Sequence, residues 1–139
     1  MNSNVKQAVP FFWVADVQVS LRFYVDGLGF KMLNQWINKG KLAWCWLDIG
    51  GTALMLQEHR SDGTQFKVTD KKGLGVSICF TCEDALLIYH DALAKGLAPQ
   101  EPFVGNGMWV CALTDPDGYK LFFNSQTDVP EETKLSEWK

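Results

Sequence analysis

The sequence predicts an α+β fold made of two successive modules, each with the element order β-α-β-β-β. Apolar runs of strand length alternate with two stretches whose apolar residues follow helical spacing. Two tight turns, Gly50-Gly51 and the tetrapeptide at 115–118, each join a pair of strand-like runs. The element order of the first half recurs in the second after a shift of 67 residues, which places Asp16 on Glu83.

The first module covers about residues 8–58 and begins with a β-rich run at residues 9–14. Asp16 is the expected N-cap of a helix, because apolar residues follow it at helical spacing as far as Leu28. Gly27 and Gly29 are the signals that end this helix. Three further strands are predicted at residues 30–36, 42–49 and 52–58.

The second module covers about residues 75–125 and follows a polar linker at residues 59–74. Its first strand, at residues 75–80, leads into a helix that begins after Thr81 and Asp84 and ends at Gly96. Strands follow at residues 100–104, 108–114 and 119–125. We therefore expect a single domain over residues 1–125 and a polar, loosely held tail at residues 126–139.

Composition and charge exclude several classes of protein. An apolar fraction of 47% over 139 residues is typical of a globular chain rather than a disordered one. Thirteen basic against sixteen acidic residues argue against a nucleic-acid partner. The longest apolar run, residues 8–15, is too short to span a membrane and lacks the features of a secretory signal. We expect a cytoplasmic protein with no nucleic-acid or membrane partner.

Three stretches carry a resemblance to a known family: VPFFWVADVQVSLRFYVDGLGFK, LDIGGTALMLQE and LTDPDGYKLFFN. Together with the second helix, they resemble the glyoxalase, bleomycin-resistance and extradiol dioxygenase superfamily, also called vicinal oxygen chelate proteins. The resemblance implies that the strands of both modules form a curled mixed sheet around a cup-shaped cavity. It also implies a homodimer, because many members are homodimers.

Enzymes of this superfamily hold a divalent metal at four inward-facing positions, which fall here on Val9, Met55, Val76 and Phe122. Val and Phe have no donor atom, and the Met thioether is a soft ligand that suits hard divalent cations poorly. The resemblance therefore implies a member with no metal and no cofactor. It favours the branch of antibiotic-resistance proteins that sequester bleomycin-type drugs without performing a reaction.

Period-2 alternation predicts which other side chains face the cavity with these four positions. An apolar, aromatic wall with a few amides suits an aromatic or conjugated small molecule. The amides of Gln57 and Asn124 face the cavity and need partners that a ligand could supply. The predicted ligand-binding residues are Phe11, Trp13, Trp46, Met55, Gln57, Trp109, Phe122 and Asn124.

Three other interpretations stay open. The chain could be a metal-dependent lyase or dioxygenase with non-standard ligands that include Glu58, His59 or His90. It could instead be a scaffolding or regulatory protein whose six tryptophans simply fill the core. The spacing of Cys79 and Cys82 is also that of a redox pair, although two packed thiols are the more common explanation.

Overall fold

The computed structural model describes residues 4–59 and 72–138. Most of the predicted linker at residues 59–74 therefore lies outside the described residues. The strands are β1 (Phe11–Val14), β2 (Lys31–Asn38), β3 (Lys41–Ile49), β4 (Thr52–Glu58), β5 (Ser77–Thr81), β6 (Phe103–Gly105), β7 (Met108–Thr114) and β8 (Lys120–Gln126). The helices are α1 (Val17–Leu21), which continues with π-helical geometry over Arg22–Gly27, and α2 (Ala85–Ala94).

The strands form two four-stranded mixed sheets with the same topology. The first has the order β1-β4-β3-β2 and the second the order β5-β8-β7-β6. In each sheet the first and last strands of the module pair in parallel, and the other pairs are antiparallel. This confirms the duplicated β-α-β-β-β order and the α+β class. No helix in the described part of the chain is long and apolar enough to cross a membrane.

Aspartates begin both helices. The Asp16 carboxylate accepts a hydrogen bond from the Gln18 N–H at 3.0 Å, and the Asp84 carboxylate accepts one from the Leu87 N–H at 3.1 Å. Asp84, rather than Glu83, is therefore the equivalent of Asp16, and the repeat shift is 68 residues at this point. The predicted shift of 67 is wrong for the first strand and helix of the module, where the second half holds one additional residue.

Contacts between the two modules join them along a seam beside β1 and β5. The Tyr24 hydroxyl donates a 2.7 Å hydrogen bond to the buried Asp115 carboxylate of the second module. The Phe12 ring stacks on the Tyr119 ring, with centroids 4.0 Å apart and planes 3° from parallel. The Tyr119 hydroxyl also donates a hydrogen bond to the Trp13 carbonyl at 2.9 Å. These contacts fix the edge of β1 against the second module.

The tail is packed rather than loose. The Glu132 N–H donates to the Val104 carbonyl at 2.8 Å, and the Val104 N–H donates to the Thr133 carbonyl at 3.0 Å. The Trp138 ring packs edge-on against Trp109 with centroids 5.5 Å apart. The expectation of a loosely held tail is therefore wrong over the described residues, because the free edge of β6 supplies backbone groups that the tail pairs with.

Candidate ligand-binding site

One face of the first sheet carries a cluster of aromatic side chains. Residues paired across a ladder share a face, and the register pairs Phe11 and Trp46 with Met55. It likewise pairs Trp13 with Gln57. We call this surface the aromatic face; its residues are Phe11, Trp13, Trp44, Trp46, Met55 and Gln57. The structure thus brings five of the eight predicted ligand-binding residues together.

The aromatic face is not part of the packed core. Its opposite side holds Phe12, Leu54 and Leu56, which are buried in the hydrophobic core. On the aromatic face itself, Phe11 is 42% exposed and Trp46 is half-buried. The rings therefore keep surface that a ligand or another chain can cover, which argues against tryptophans that only fill a core.

The second sheet has an equivalent face. The register pairs Cys79 with Phe122 and Thr81 with Asn124 across β5 and β8, and pairs Val110 with Asn124 across β7 and β8. We call this surface the second face; its residues are Cys79, Thr81, Val110, Ala112, Phe122 and Asn124. It holds two more predicted ligand-binding residues, Phe122 and Asn124.

The predicted orientation of β5 is wrong by one residue. Alternation from Val76 places Phe80 on the same face as Phe122, but Phe80 lies on the opposite face, 7% exposed. Its ring stacks on Phe123 at 4.8 Å and meets Phe30 of the first module edge-on at 6.1 Å. Burying this large ring between the modules fixes which way the strand faces.

The prediction that Trp109 faces the cavity is also wrong. The register pairs Trp109 with Ser125, so Trp109 points away from Asn124 and into the core on the helix side. It is 5% exposed, and Trp138 of the tail covers it. The register of β7 against β8 therefore decides the face on which Trp109 lies.

A cavity of about 560 Å³ opens at the seam where β1 and β5 begin. Its lining is apolar and includes Val9 and Phe11 from the first module and Val76 and Ile78 from the second. Tyr119, which sequence reasoning did not select, closes one side. Both modules line this cavity, and Ile78 enters it from the side of β5 opposite to Cys79 and Thr81, so the second face takes no part in it. Its volume lies within the range of small-molecule pockets.

The polar groups of the two faces differ in their pairing. The Gln57 amide donates to the Glu58 carbonyl at 3.4 Å. The Asn124 Oδ1 atom is buried and accepts no hydrogen bond from the described residues, and the same holds for His59 Nε2. Buried polar atoms are normally paired, so these two atoms are exceptions to that rule.

The four family metal positions do not fit a hard divalent cation. Because Phe11 is equivalent to Cys79, Val9 of the first module corresponds to Ser77 of the second module rather than to Val76. The set is then Val9, Met55, Ser77 and Phe122, which offers a single hydroxyl and no carboxylate or imidazole.

The alternative metal ligands do not converge either. The Glu58 carboxylate accepts a hydrogen bond from the Val17 N–H at 2.9 Å and forms an ion pair with Lys41 at 2.6 Å. That ion pair raises the pKa of Lys41. His90 lies exposed on α2, remote in the chain from the β4 end that carries His59. Within residues 4–59 and 72–138, no three His, Cys, Asp or Glu side chains form a metal-binding group.

The two closely spaced cysteines are not arranged as a redox pair. Cys79 is exposed on the second face, whereas the Cys82 thiol lies 3.6 Å from the Asn124 carbonyl, which it contacts as a donor. Burial raises the pKa of the Cys82 thiol. The Cys82 thiol is therefore engaged by a backbone carbonyl of β8 rather than by Cys79.

These features define a duplicated β-α-β-β-β protein with an open aromatic face beside a face of smaller side chains. The chain belongs to the Glyoxalase/Bleomycin resistance protein/Dioxygenase superfamily, whose family model matches residues 6–123. A search of curated proteins finds no significant match.

Solved structures share the fold at low sequence identity. UcmS2 superposes with a TM-score of 0.73 at 18% identity, covering 89% of this chain and 100% of that one. TnmS3, an antibiotic binding protein from Streptomyces sp. CB03234, has a TM-score of 0.66 at 19% identity, covering 91% and 100%. A bleomycin-binding protein complexed with bleomycin has a TM-score of 0.64 at 22% identity, covering 88% and 100%. At these identities, the likeness establishes the fold.

Proposed function

We propose that this protein is a metal-independent small-molecule binding protein that sequesters an aromatic or conjugated compound, such as a drug, without chemical reaction. The observation that carries the proposal is the aromatic face, whose rings remain partly exposed although the opposite side of the same strands is fully packed. Both modules belong to one domain, and this domain performs the binding. Neighbouring structures that bind bleomycin or another antibiotic support the same class of function.

The chemistry of the aromatic face suits this class of ligand. Stacked or edge-on aromatic contacts each contribute ~0.5–1.5 kcal/mol beyond the area that they bury. Phe11 and Trp13 already hold a tilted arrangement with centroids 5.3 Å apart, so their rings are positioned before any ligand arrives. Preorganised rings lose little conformational entropy on binding. A planar ligand is therefore favoured over a flexible one.

We also propose that the protein is a cytoplasmic homodimer. The resemblance to the family implies the dimer, and β2 supports it. This strand lies at the edge of the first sheet, and four of its large apolar side chains are between 40% and 62% exposed: Met32, Leu33, Trp36 and Ile37. A second copy of the chain is the occupant that we assign to this surface. Sedimentation equilibrium that finds a monomer at about 50 μM, a concentration at which a dimer with a micromolar dissociation constant is mostly assembled, would refute it.

Calorimetric titration of chelator-treated protein with bleomycin and with fused-ring aromatic compounds tests the binding function. We expect saturable binding that Trp46→Leu weakens roughly 2- to 13-fold, because leucine keeps apolar bulk and removes the ring contact. Trp138→Leu is the matched control, since this tail residue packs on the helix side of the second sheet. Equal loss in both variants, or no binding across the panel, would refute the proposal.

A further inference from the structure

The tail covers the outer edge of the second sheet as a further strand would. Its backbone runs antiparallel to β6, with Lys134 opposite Phe103. The Glu132 N–H donates to the Val104 carbonyl at 2.8 Å, and the Val104 N–H donates to the Thr133 carbonyl at 3.0 Å. Both backbone groups of Val104 that point away from β7 are therefore paired with the tail.

Side chains anchor the tail at both of its ends. The Glu131 carboxylate accepts hydrogen bonds from the Asn106 N–H at 2.7 Å and the Gly107 N–H at 2.9 Å, in the turn between β6 and β7. At the other end, the Trp138 ring packs on Trp109, which is 5% exposed. The tail is thus held by two anchors in addition to its backbone hydrogen bonds.

The backbone of the tail is held in a conformation that the chain disfavours. The φ angle of Glu132 is 65°, in the left-handed region that residues with a side chain rarely adopt. Such a conformation persists where surrounding contacts hold it. The contacts around Glu132 are its own hydrogen bond to Val104 and the anchor formed by Glu131. The position of the tail therefore results from binding to the edge of β6.

The strand equivalent to β6 in the first sheet is β2, and within the described residues its outer edge carries no further strand. All residues of β2 except the last are exposed. An open edge presents N–H and C=O groups that can pair with another chain. A chain with two open edges can bind one copy at each of them, so its assembly extends beyond two copies. Covering one edge limits the assembly to the other.

We infer that the β6 edge is a second self-association surface, and that the tail of each chain occupies it so that assembly stops at the dimer formed through β2. The dimer is the one proposed above, and the role of β6 rests on the contacts of the tail. The backbone of β6 is short, and Pro102 donates no hydrogen bond. Apolar surface supplies the rest, because release of Trp138 uncovers Trp109, which pairs with Val104 in the register.

Two substitutions at one position of the full chain test the inference. Glu132→Pro removes the N–H and fixes φ at about −65°, so it releases the tail. Glu132→Gly is the matched control, since it removes the same charge but keeps the N–H and tolerates a positive φ. Amide hydrogen exchange measured by NMR reports the release: we expect exchange at Val104 to be roughly tenfold or more faster in Glu132→Pro and not in Glu132→Gly.

Sedimentation velocity over roughly a hundredfold range of concentration, which covers micromolar dissociation constants, then measures assembly. We expect Glu132→Pro to form species that are larger than the wild type and grow with concentration, whereas Glu132→Gly sediments as the wild type does. Glu131→Leu is a second, milder release, because it removes the carboxylate anchor and leaves the backbone of the tail unchanged. It should shift assembly in the same direction, and thermal unfolding verifies that each variant is folded.

Faster exchange at Val104 without larger species would overturn the inference, because the uncovered edge would then bind no second copy. Unchanged exchange in Glu132→Pro, or equal assembly of Glu132→Gly and Glu132→Pro, would overturn it as well. A monomeric wild type would refute the proposed homodimer. The role of β6 would then stand only if Glu132→Pro dimerises and fall if it stays monomeric.

Discussion

The hydrogen bond between Tyr24 and Asp115 joins the two modules, and its removal has a calculable cost. Asp115 is 3% exposed and accepts three hydrogen bonds: from the Tyr24 hydroxyl at 2.7 Å and from the N–H groups of Asp117 and Tyr119 at 2.9 Å each. Burial, reinforced by the charge of Asp115, raises the pKa of Tyr24, so the hydroxyl keeps its proton and remains the donor. Tyr24→Phe deletes this donor and leaves the ring packing in place.

The expected destabilisation is about 2 kcal/mol, within the range for a hydrogen bond to a charged group. An unfolding entropy of about 2.1 cal/mol/K per residue converts this, over 139 residues, into a fall in Tm of about 7 °C. Urea and thermal denaturation at pH 7, followed by circular dichroism, measure both quantities. A double-mutant cycle with Asp115→Asn isolates the pairwise energy.

Tyr89→Phe is the control, because Tyr89 lies on α2 and its hydroxyl makes no hydrogen bond with the described residues. We expect this change to lie within about 0.5 kcal/mol of the wild type. If Tyr24→Phe is as mild as the control, the contact does not stabilise the joined modules and the reasoning fails.

Three further predictions concern pH, the tail and one turn. Burial raises the pKa of Asp115, so the folded protein keeps this proton to a higher pH than the unfolded chain does. Its stabilising contribution is therefore fully present below the ordinary carboxyl pKa of about 3.9 and is lost as pH rises through the higher folded value. Denaturation from pH 4 to 7 should show this slope in the wild type and not in Asp115→Asn. Trp138→Ala should cost about 1–2 kcal/mol and shift the emission of Trp109 to the red, because the ring covering it is lost; an unchanged spectrum would refute the contact. Gly51→Val should lower the free energy of unfolding by about 1–2 kcal/mol, since the φ angle of Gly51 is 83°, a conformation that valine adopts only with strain. A variant as stable as the wild type would show that the turn does not hold residue 51 at this angle.

Local sequence signals predicted the elements well. The bounds of β4 and β7 coincide with those predicted, and the Gly50-Gly51 turn joins β3 to β4 as expected. These features depend on glycine conformations and on residue types within a few positions of each other. The α+β class and the repeated element order follow from the same local information.

The faces of the second sheet could not be predicted in the same way. Alternation fixes which residues share a face but not which face turns inward, and a one-residue error reverses the strand. For β5, the choice depends on Phe80 meeting Phe30 and Phe123 from distant parts of the chain. For Trp109, it depends on the register of β7 against β8, which pairs Trp109 with Ser125. On the first sheet, the residues predicted to share a face do so, because Phe11 and Trp46 both pair with Met55.

The most direct test of the central claim, metal-independent binding, is the metal content of protein purified without chelator, measured by elemental analysis. The account predicts less than about a tenth of an equivalent of any transition metal, with no gain after incubation with nickel, zinc, iron or manganese, because Val9, Met55, Ser77 and Phe122 offer no suitable donor set. Near-stoichiometric metal would contradict it and would redirect attention to Glu58, His59 and His90 as ligands of an enzyme.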